Sequence, residues 1–494
     1  MEIIKKKYDY IIIGGGPVGL TIAWILAKEN KDILLIESEK ELGGCHRVER
    51  VNGLFAEHGP RVYSDAYLNF IQILESMDIK FDDIMTQYNF DLSNIGLRSK
   101  LNFTTHEYAS FIIEFIRLII DPNYSREIPM SKHMNNYNFT EDSKDYVDRL
   151  CRLTDGATAD KYTLFQFLQL VNQQSLYRLC QPRLPNDRGL ILLWKNALLK
   201  TKKVNFLMNH DLRKLIKNKD ELISSILVYD KKNKKEFFIK CRNCILSIPP
   251  KPLIKLLNNS KGLENSFGDI NKLSKWSSKN SYFHYIPITL HYKQKLKLPK
   301  VWGFPKSDWG VAFIVLSDYM EFNDEIEKKF SNTVISTCIS YTDRKSSFSN
   351  KTANECTIDE IYDEVFRQLK LSFPDLPNNY KMVLSPQVKK DTINNIWINY
   401  DTAFISSTKL DILNSHSAKI KNLYTVGTHN GNSLYYFTSM ESAVQNAIVF
   451  CHSILPETEE KYKILDTNHL TSIIIIVLII CLVIIFLFIN KKNF

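Results

Sequence analysis

An α/β fold with a second, mixed domain is predicted by three features of the chain. Near its start, a short isoleucine-rich run meets three glycines and then a helical apolar pattern. Near residue 425, a strand, a glycine, a loop and a helix follow one another again. Between them lie strand, hairpin and helix patterns, and 494 residues are enough for two or three domains. Hydrophobic residues are 44% and charged residues 24%, as in ordinary globular proteins. The 64 basic and 54 acidic residues leave a net charge of +10, mild for this length. The lysines sit in polar runs such as KKNKKEFFIK, without a basic stripe and interleaved aromatics, so no nucleic-acid partner is expected.

Taken in order, Tyr8 to Ile13 suits a fully buried parallel strand. Gly14-x-Gly16-x-x-Gly19 follows, and LTIAWILAKE then has helical spacing. A second strand, DILLIE, ends in Glu37, eighteen residues after Gly19. Gly14 permits a tight turn, Gly16 lets the backbone approach a pyrophosphate, and Gly19 lets the helix pack close to the strand. The helix N-terminus at Pro17 and Val18 presents N–H groups and positive dipole to phosphates. Glu37 can accept hydrogen bonds from ribose hydroxyls and disfavours a ribose 2′-phosphate, which leaves FAD or NAD. The order of strand, glycines, helix, strand and acid predicts a Rossmann-type dinucleotide site with no metal.

The next residues carry a more specific resemblance. Glu37 is followed by SEKELGGCHRV and VNGLFAEHGPRVYSDAYLNF. Here the chain resembles the flavin-containing amine oxidase superfamily, which includes monoamine oxidases, protoporphyrinogen oxidase and carotenoid desaturases. Gly43 and Gly44 match that family's Gly-Gly-Arg element; Cys45 stands where the arginine is usual, with Arg47 two places on. Gly59, Pro60 and Arg61 resemble the strand that passes the flavin ring. The strand–hairpin–strand region after LMNHDLRKL resembles the return to the cofactor domain, and it implies that backbone groups near Leu212 hold the adenine. Gly427 matches the glycine of the second flavin motif, and Ser439-Met440-Glu441-Ser442 matches its helix start, aimed at the flavin. The family's acid after the glycine is replaced by Thr428 and His429.

The resemblance implies a discontinuous, glutathione reductase-like FAD-binding domain (1–90, 200–260 and 412–455) and an α+β substrate domain (91–199 and 261–411). It implies an FAD-dependent oxidoreductase moving a hydride equivalent from a small-molecule substrate to flavin N5. The substrate is either an amine or an apolar, polyene-like molecule. A non-catalytic, membrane-tethered FAD-fold binding protein and a non-redox flavin mutase remain open as alternatives. Lys293, in Leu290-His291-Tyr292-Lys293, resembles the lysine that amine oxidases place near N5. Tyr400 stands where one cage aromatic occurs, and Ser439 replaces the second. Asn399 occupies the place where some members attach flavin through cysteine, so noncovalent FAD is expected.

The nine cysteines are scattered and only Cys241 and Cys244 have CxxC spacing, which reads as buried reduced thiols. Finally, residues 473–489 are seventeen apolar residues in a row. With residues 470–472 they predict a transmembrane helix over 470–489, joined by a linker over 456–469. That segment implies a lipid-bilayer partner and a tail-anchored protein with its body on the cytosolic side.

Overall fold

The computed structural model describes residues 3–4, 8–88, 103–121, 124–279, 281–282, 285–298, 307–399, 404–405, 413–466 and 478–483. Five strands form one parallel sheet in the spatial order Leu423–Thr425, Cys244–Leu246, Tyr10–Ile13, Ile33–Glu37, Val204–Met208. The sheet is thus drawn from the first, middle and last parts of the chain. Both of its faces are covered, which is why its strands read as continuous apolar runs rather than alternating ones. Ile12, Leu35 and Ile245 face the helices Pro17–Lys28 and Met440–Ile454. Ile11, Ile13, Leu34 and Ile36 face the other way, toward Leu215, Ile226, Val228 and Ile239. Those residues belong to the antiparallel strands His210–Lys217, Ile223–Asp230 and Lys235–Lys240.

The second domain is built on an antiparallel sheet ordered Val311–Val315, Thr333–Ile339, Ile286–Tyr292, Tyr380–Leu384. One face packs Ile288, Leu290, Phe313 and Ile335 against Ile361, Val365 and Leu369 of the helix Ile358–Leu369. Trp309 is part of this apolar core. The opposite face meets the strand Leu54–Glu57: His291 Nε2 lies 2.9 Å from the Phe55 carbonyl, and Ser336 donates to Glu57 at 2.6 Å. A second apolar core joins the helices Glu141–Asp155 and Leu164–Leu176 to Ile314 and Phe437. All nine cysteines are free thiols; Cys241 and Cys244 are buried.

The C-terminal expectation needs correction. Among the described residues no helix is long and apolar enough to cross a membrane. Of positions 470–489 only 478–483 are described, as a short helical stretch with mostly exposed side chains, and the rest lie outside the described residues. The predicted anchor, and with it the bilayer partner and the cytosolic-side placement, is therefore not upheld. The stretch before it is no free linker through residue 466. Tyr462 is buried, the Lys463 carbonyl accepts from Gln72 at 2.8 Å, and Leu465 exchanges two hydrogen bonds with the Asn69 side chain. Lys461 pairs with Glu29 at 2.6 Å. This strap lies along the helices of the parallel-sheet domain.

Candidate functional site

The loop after the first strand is shaped by its glycines. Gly14 has φ +105°, and a Cβ there would lie 2.6 Å from the Ser247 carbonyl oxygen. A Cβ on Gly19 would lie 2.0 Å from the Gly14 carbonyl oxygen, so helix and loop touch through backbone. Gly16 differs: its Cβ would meet only Gly44 Cα, at an ordinary 3.7 Å. The protein itself does not require glycine there, and the space beside Gly16 is open to a ligand. Pro17 occupies the first turn of the helix, which has no side-chain N-cap hydrogen bond, so its leading N–H groups are left for another acceptor.

Glu37 closes this side. Its Oε2 accepts from the Gly15 N–H at 2.6 Å and its Oε1 from the Glu39 N–H at 3.0 Å. Burial pushes the Glu37 carboxyl up, while the Gly15 and Glu39 N–H groups and then Arg47 pull it down. The Gly-Gly element is tied to the same loop, because the Gly43 N–H donates to the Gly15 carbonyl at 2.8 Å. Gly43 and Gly44 have φ of +116° and +54°, conformations glycine adopts without strain. In place of a guanidinium at position 45, two others reach the site. Arg47 is buried and pairs with Glu49 at 3.1 Å, and Arg61 donates to the Cys45 carbonyl.

These pieces enclose a cavity of ≈ 640 Å3, within the range of ligand sites. Gly14, Gly16, Pro17, Val18, Glu37, Gly44, Arg47, Pro60, Arg61, Leu212, Gly427, Ser439 and Met440 all line it. Gly19, Gly43 and Gly59 stand behind the lining. At Leu212 the ladder has a bulge running to Lys214, which turns backbone groups out of the sheet pairing. At the other end the helix Met440–Ile454 starts behind Ser439, whose hydroxyl accepts from the Ser442 N–H at 3.0 Å. The cavity is therefore bounded by two helix N-termini, a buried carboxylate and two guanidiniums. This set could receive a dinucleotide, with phosphates at the uncapped helix start, ribose hydroxyls at Glu37 and the adenine end at the bulged strand. FAD fits it.

Several lining residues were not singled out from the sequence. His46 lines the cavity with Nδ1 3.0 Å from the Tyr63 hydroxyl. Burial, then Arg61 and His58, hold its pKa well below the usual imidazole range, so it is neutral at physiological pH. His429, noted above in place of the family's acid, also lines the cavity; it is buried and pushed down to about 3 by that burial. The second domain contributes Leu153, Leu170, Gln173, Leu179, Ile314 and Gln387. Apolar residues of this kind carry no local motif, so only the tertiary fold reveals them.

Of the two nominated catalytic residues, only Lys293 is described, and it is not brought to the cavity. Lys293 is exposed, one residue past the end of the strand Ile286–Tyr292, and does not line the cavity. The correction has a simple reason: the strand has left the cavity before position 293, and His291 is the last of its buried residues on the face toward Leu54–Glu57. Tyr400 lies outside the described residues, as do Trp302 and Phe304. Asn399 is buried at the end of the strand Ile396–Asn399 and is not among the lining residues.

Glu57 gives the site region a pH dependence. Burial pushes its carboxyl from 4.5 up to about 7, against the Ser336 hydroxyl and Arg61, which lower it. A carboxyl raised on folding contributes stability that is present below its unfolded pKa and is lost as pH rises through its folded value. The melting temperature should thus fall between pH about 5 and pH about 8, and Glu57→Gln should flatten part of that fall. A Glu57→Gln protein whose melting temperature falls as steeply as the wild type would show that Glu57 does not titrate as described.

Comparison with known proteins agrees with this geometry. Residues 12–76 match the NAD(P)-binding Rossmann-like domain family. Over 73 residues the chain is 33% identical to a UDP-galactopyranose mutase of Mycoplasma pneumoniae, a match covering 14% of this chain and 18% of that protein. Solved structures are similar over almost the whole length. Putrescine oxidase, described as bound to putrescine, superposes with a TM-score of 0.63 at 12% identity over 92% of this chain and 100% of its own. A putative protoporphyrinogen oxidase from Exiguobacterium sp. 255-15 gives 0.57 at 14% identity over 92% and 100%.

Proposed function

We infer that this chain, which has the fold of the flavin-containing amine oxidase superfamily, is an FAD-dependent oxidoreductase acting on a small molecule. The observation that carries the reading is the continuity of one cavity. The dinucleotide loop, Glu37 and the second helix start share a single volume with uncharged side chains of the second domain. A substrate held by Leu153, Leu170, Leu179 and Ile314 would thus lie against the reactive end of a bound flavin.

Bound FAD would supply the acceptor for a hydride equivalent. The rest follows from this chain's residues. The uncapped helix start at Pro17 and the open side of Gly16 bind the pyrophosphate, and Glu37 orients the ribose. Arg47, Arg61 and the helix start at Met440, which line the same cavity, would offer positive charge and dipole to a bound flavin that takes up electrons. The apolar side chains exclude water from the substrate end. His46 and His429 are both held neutral, so neither adds a cation beside the flavin.

The substrate that is oxidised is proposed to be an amine or a largely apolar molecule. The mutase likeness spans only 73 residues, 14% of this chain. It therefore supports the cofactor more than the chemistry. The decisive experiment is the absorption spectrum of the purified protein, followed by reduction with amines and polyenes in the absence of oxygen. A flavin spectrum bleached by one class supports the oxidoreductase and names its substrate class. A folded protein that neither retains nor takes up FAD would sink the reading. Lys293→Met is expected to leave the reduction rate within about twofold, since an exposed lysine away from the lining contributes little; a loss of a hundredfold would restore that lysine to the chemistry.

A further inference from the structure

We propose that Gln173 is a specificity-determining residue that selects a substrate carrying a hydrogen-bonding group, an amine or a hydroxyl, on an otherwise apolar body. The inference rests on the oxidoreductase reading above and narrows its substrate.

Of the four glutamines of the helix Leu164–Leu176, those at 166, 169 and 173 have a spacing that places them along one face. The first two are engaged by the chain segment that leads into the second flavin helix. Gln166 Nε2 donates to the Tyr436 carbonyl at 2.9 Å. Gln169 Oε1 accepts from the Tyr436 N–H at 2.8 Å, and its Nε2 donates to the Leu434 carbonyl. Gln173 is the third in the row and is different. It is 4% exposed and lines the cavity, and its Oε1 is buried with no hydrogen-bond partner among the described residues.

A buried carbonyl oxygen without a partner costs about 1–3 kcal/mol, so the unmet Gln173 Oε1 calls for an explanation. Leu153, Leu170, Leu179 and Ile314 also line the cavity and cannot bond to it. The terminal torsion of glutamine is broad and two-fold, so a half-turn brings either the carbonyl or the N–H2 to the same point. A ligand with an amine or hydroxyl can satisfy it. A pure hydrocarbon cannot, and would leave the amide orphaned. Discrimination of this kind works by rejecting the ligand that lacks the group.

The test titrates the FAD-loaded protein, without oxygen, with benzylamine, benzyl alcohol and toluene, following the change in the flavin spectrum. Benzylamine and benzyl alcohol are expected to act at about tenfold lower concentration than toluene, the size of one hydrogen bond. In Gln173→Leu the preference should fall to within about twofold, while FAD content and spectrum stay as in the wild type. Gln173→Met serves as a second apolar variant should the first fold poorly, and Gln173→Glu should strengthen benzylamine alone. Toluene binding as tightly as the polar pair, or a preference kept in a leucine or methionine variant that holds FAD normally, overturns the proposal and leaves the oxidoreductase reading standing. A wild type that takes up no FAD overturns that reading and this one with it.

Discussion

Gly19→Ala is expected to abolish cofactor loading. The new Cβ would sit 2.0 Å from the Gly14 carbonyl oxygen, a backbone atom with little freedom to retreat. Gly14 is itself held, since its own Cβ position is 2.6 Å from the Ser247 carbonyl. Ser247 Oγ also donates to the Ile13 and Gly14 carbonyls, at 2.8 and 2.9 Å. The helix must therefore tilt away from the loop. Overpacking of this kind costs about 1–3 kcal/mol and sometimes more, and the tilt withdraws the helix N–H groups from the phosphates. Flavin per protein in the purified variant should drop to below about a tenth of the wild type. Gly16→Ala separates the two contributions. With only a 3.7 Å contact to Gly44 Cα, it should fold with an unchanged melting temperature and still lose FAD affinity. A Gly16→Ala protein that keeps its FAD would show that the space beside Gly16 is not used by the ligand.

Glu441→Leu is expected to be the most destabilising single change outside the glycine loop. Glu441 is buried at the start of the helix Met440–Ile454, and its carboxylate ends the helix Leu68–Ser76 from outside. Oε1 accepts from the Asn69 N–H at 3.0 Å and from the Asn69 side-chain amide, and Oε2 accepts from the Phe70 N–H at 2.9 Å. Removing it orphans two buried backbone donors and one side-chain donor. At about 1–3 kcal/mol for each unmet group, a loss of roughly 3–5 kcal/mol follows. The consequence should extend to the C-terminal strap, because Asn69 also holds Leu465. Hydrogen exchange of residues 456–466 should rise in the variant, along with a lowered melting temperature. An unchanged exchange pattern would mean that the strap is held without Glu441.

What the sequence conveyed, and what it withheld, follows from how local each signal is. The cofactor side was legible because its parts are consecutive: strand, glycines, helix, strand and Glu37 fall within residues 10–37. Gly43, Gly44, Gly427 and Ser439 were legible through a motif with fixed spacing; Gly44, Gly427 and Ser439 line the cavity, and Gly43 does not. The substrate side was not. Leu153, Leu170, Leu179 and Ile314 come from four separate elements or loops, and a leucine that lines a cavity looks like a leucine in a core. Gln173 gave no signal, since only its lack of a partner marks it. Lys293 misled because the strand pattern continued past the point where the strand stops. The apolar run near the C-terminus carried a strong compositional signal, yet no described helix is long and apolar enough to cross a membrane.

The parallel sheet is finished only by Leu423–Thr425, which pairs with Cys244–Leu246, the strand that in turn pairs with Tyr10–Ile13. During translation the first strand leaves the ribosome long before either of those exists. At about 5–20 residues per second the interval to the last strand is on the order of half a minute. Throughout it, the nascent chain carries isoleucine-rich strands with unpaired edges and a glycine loop that has no second helix to face. Long-range parallel pairing is slow and exposes aggregation-prone surface. The topology that lets two distant segments meet over one cavity therefore leaves the outer edge of Cys244–Leu246 without its partner until Leu423–Thr425 has been made.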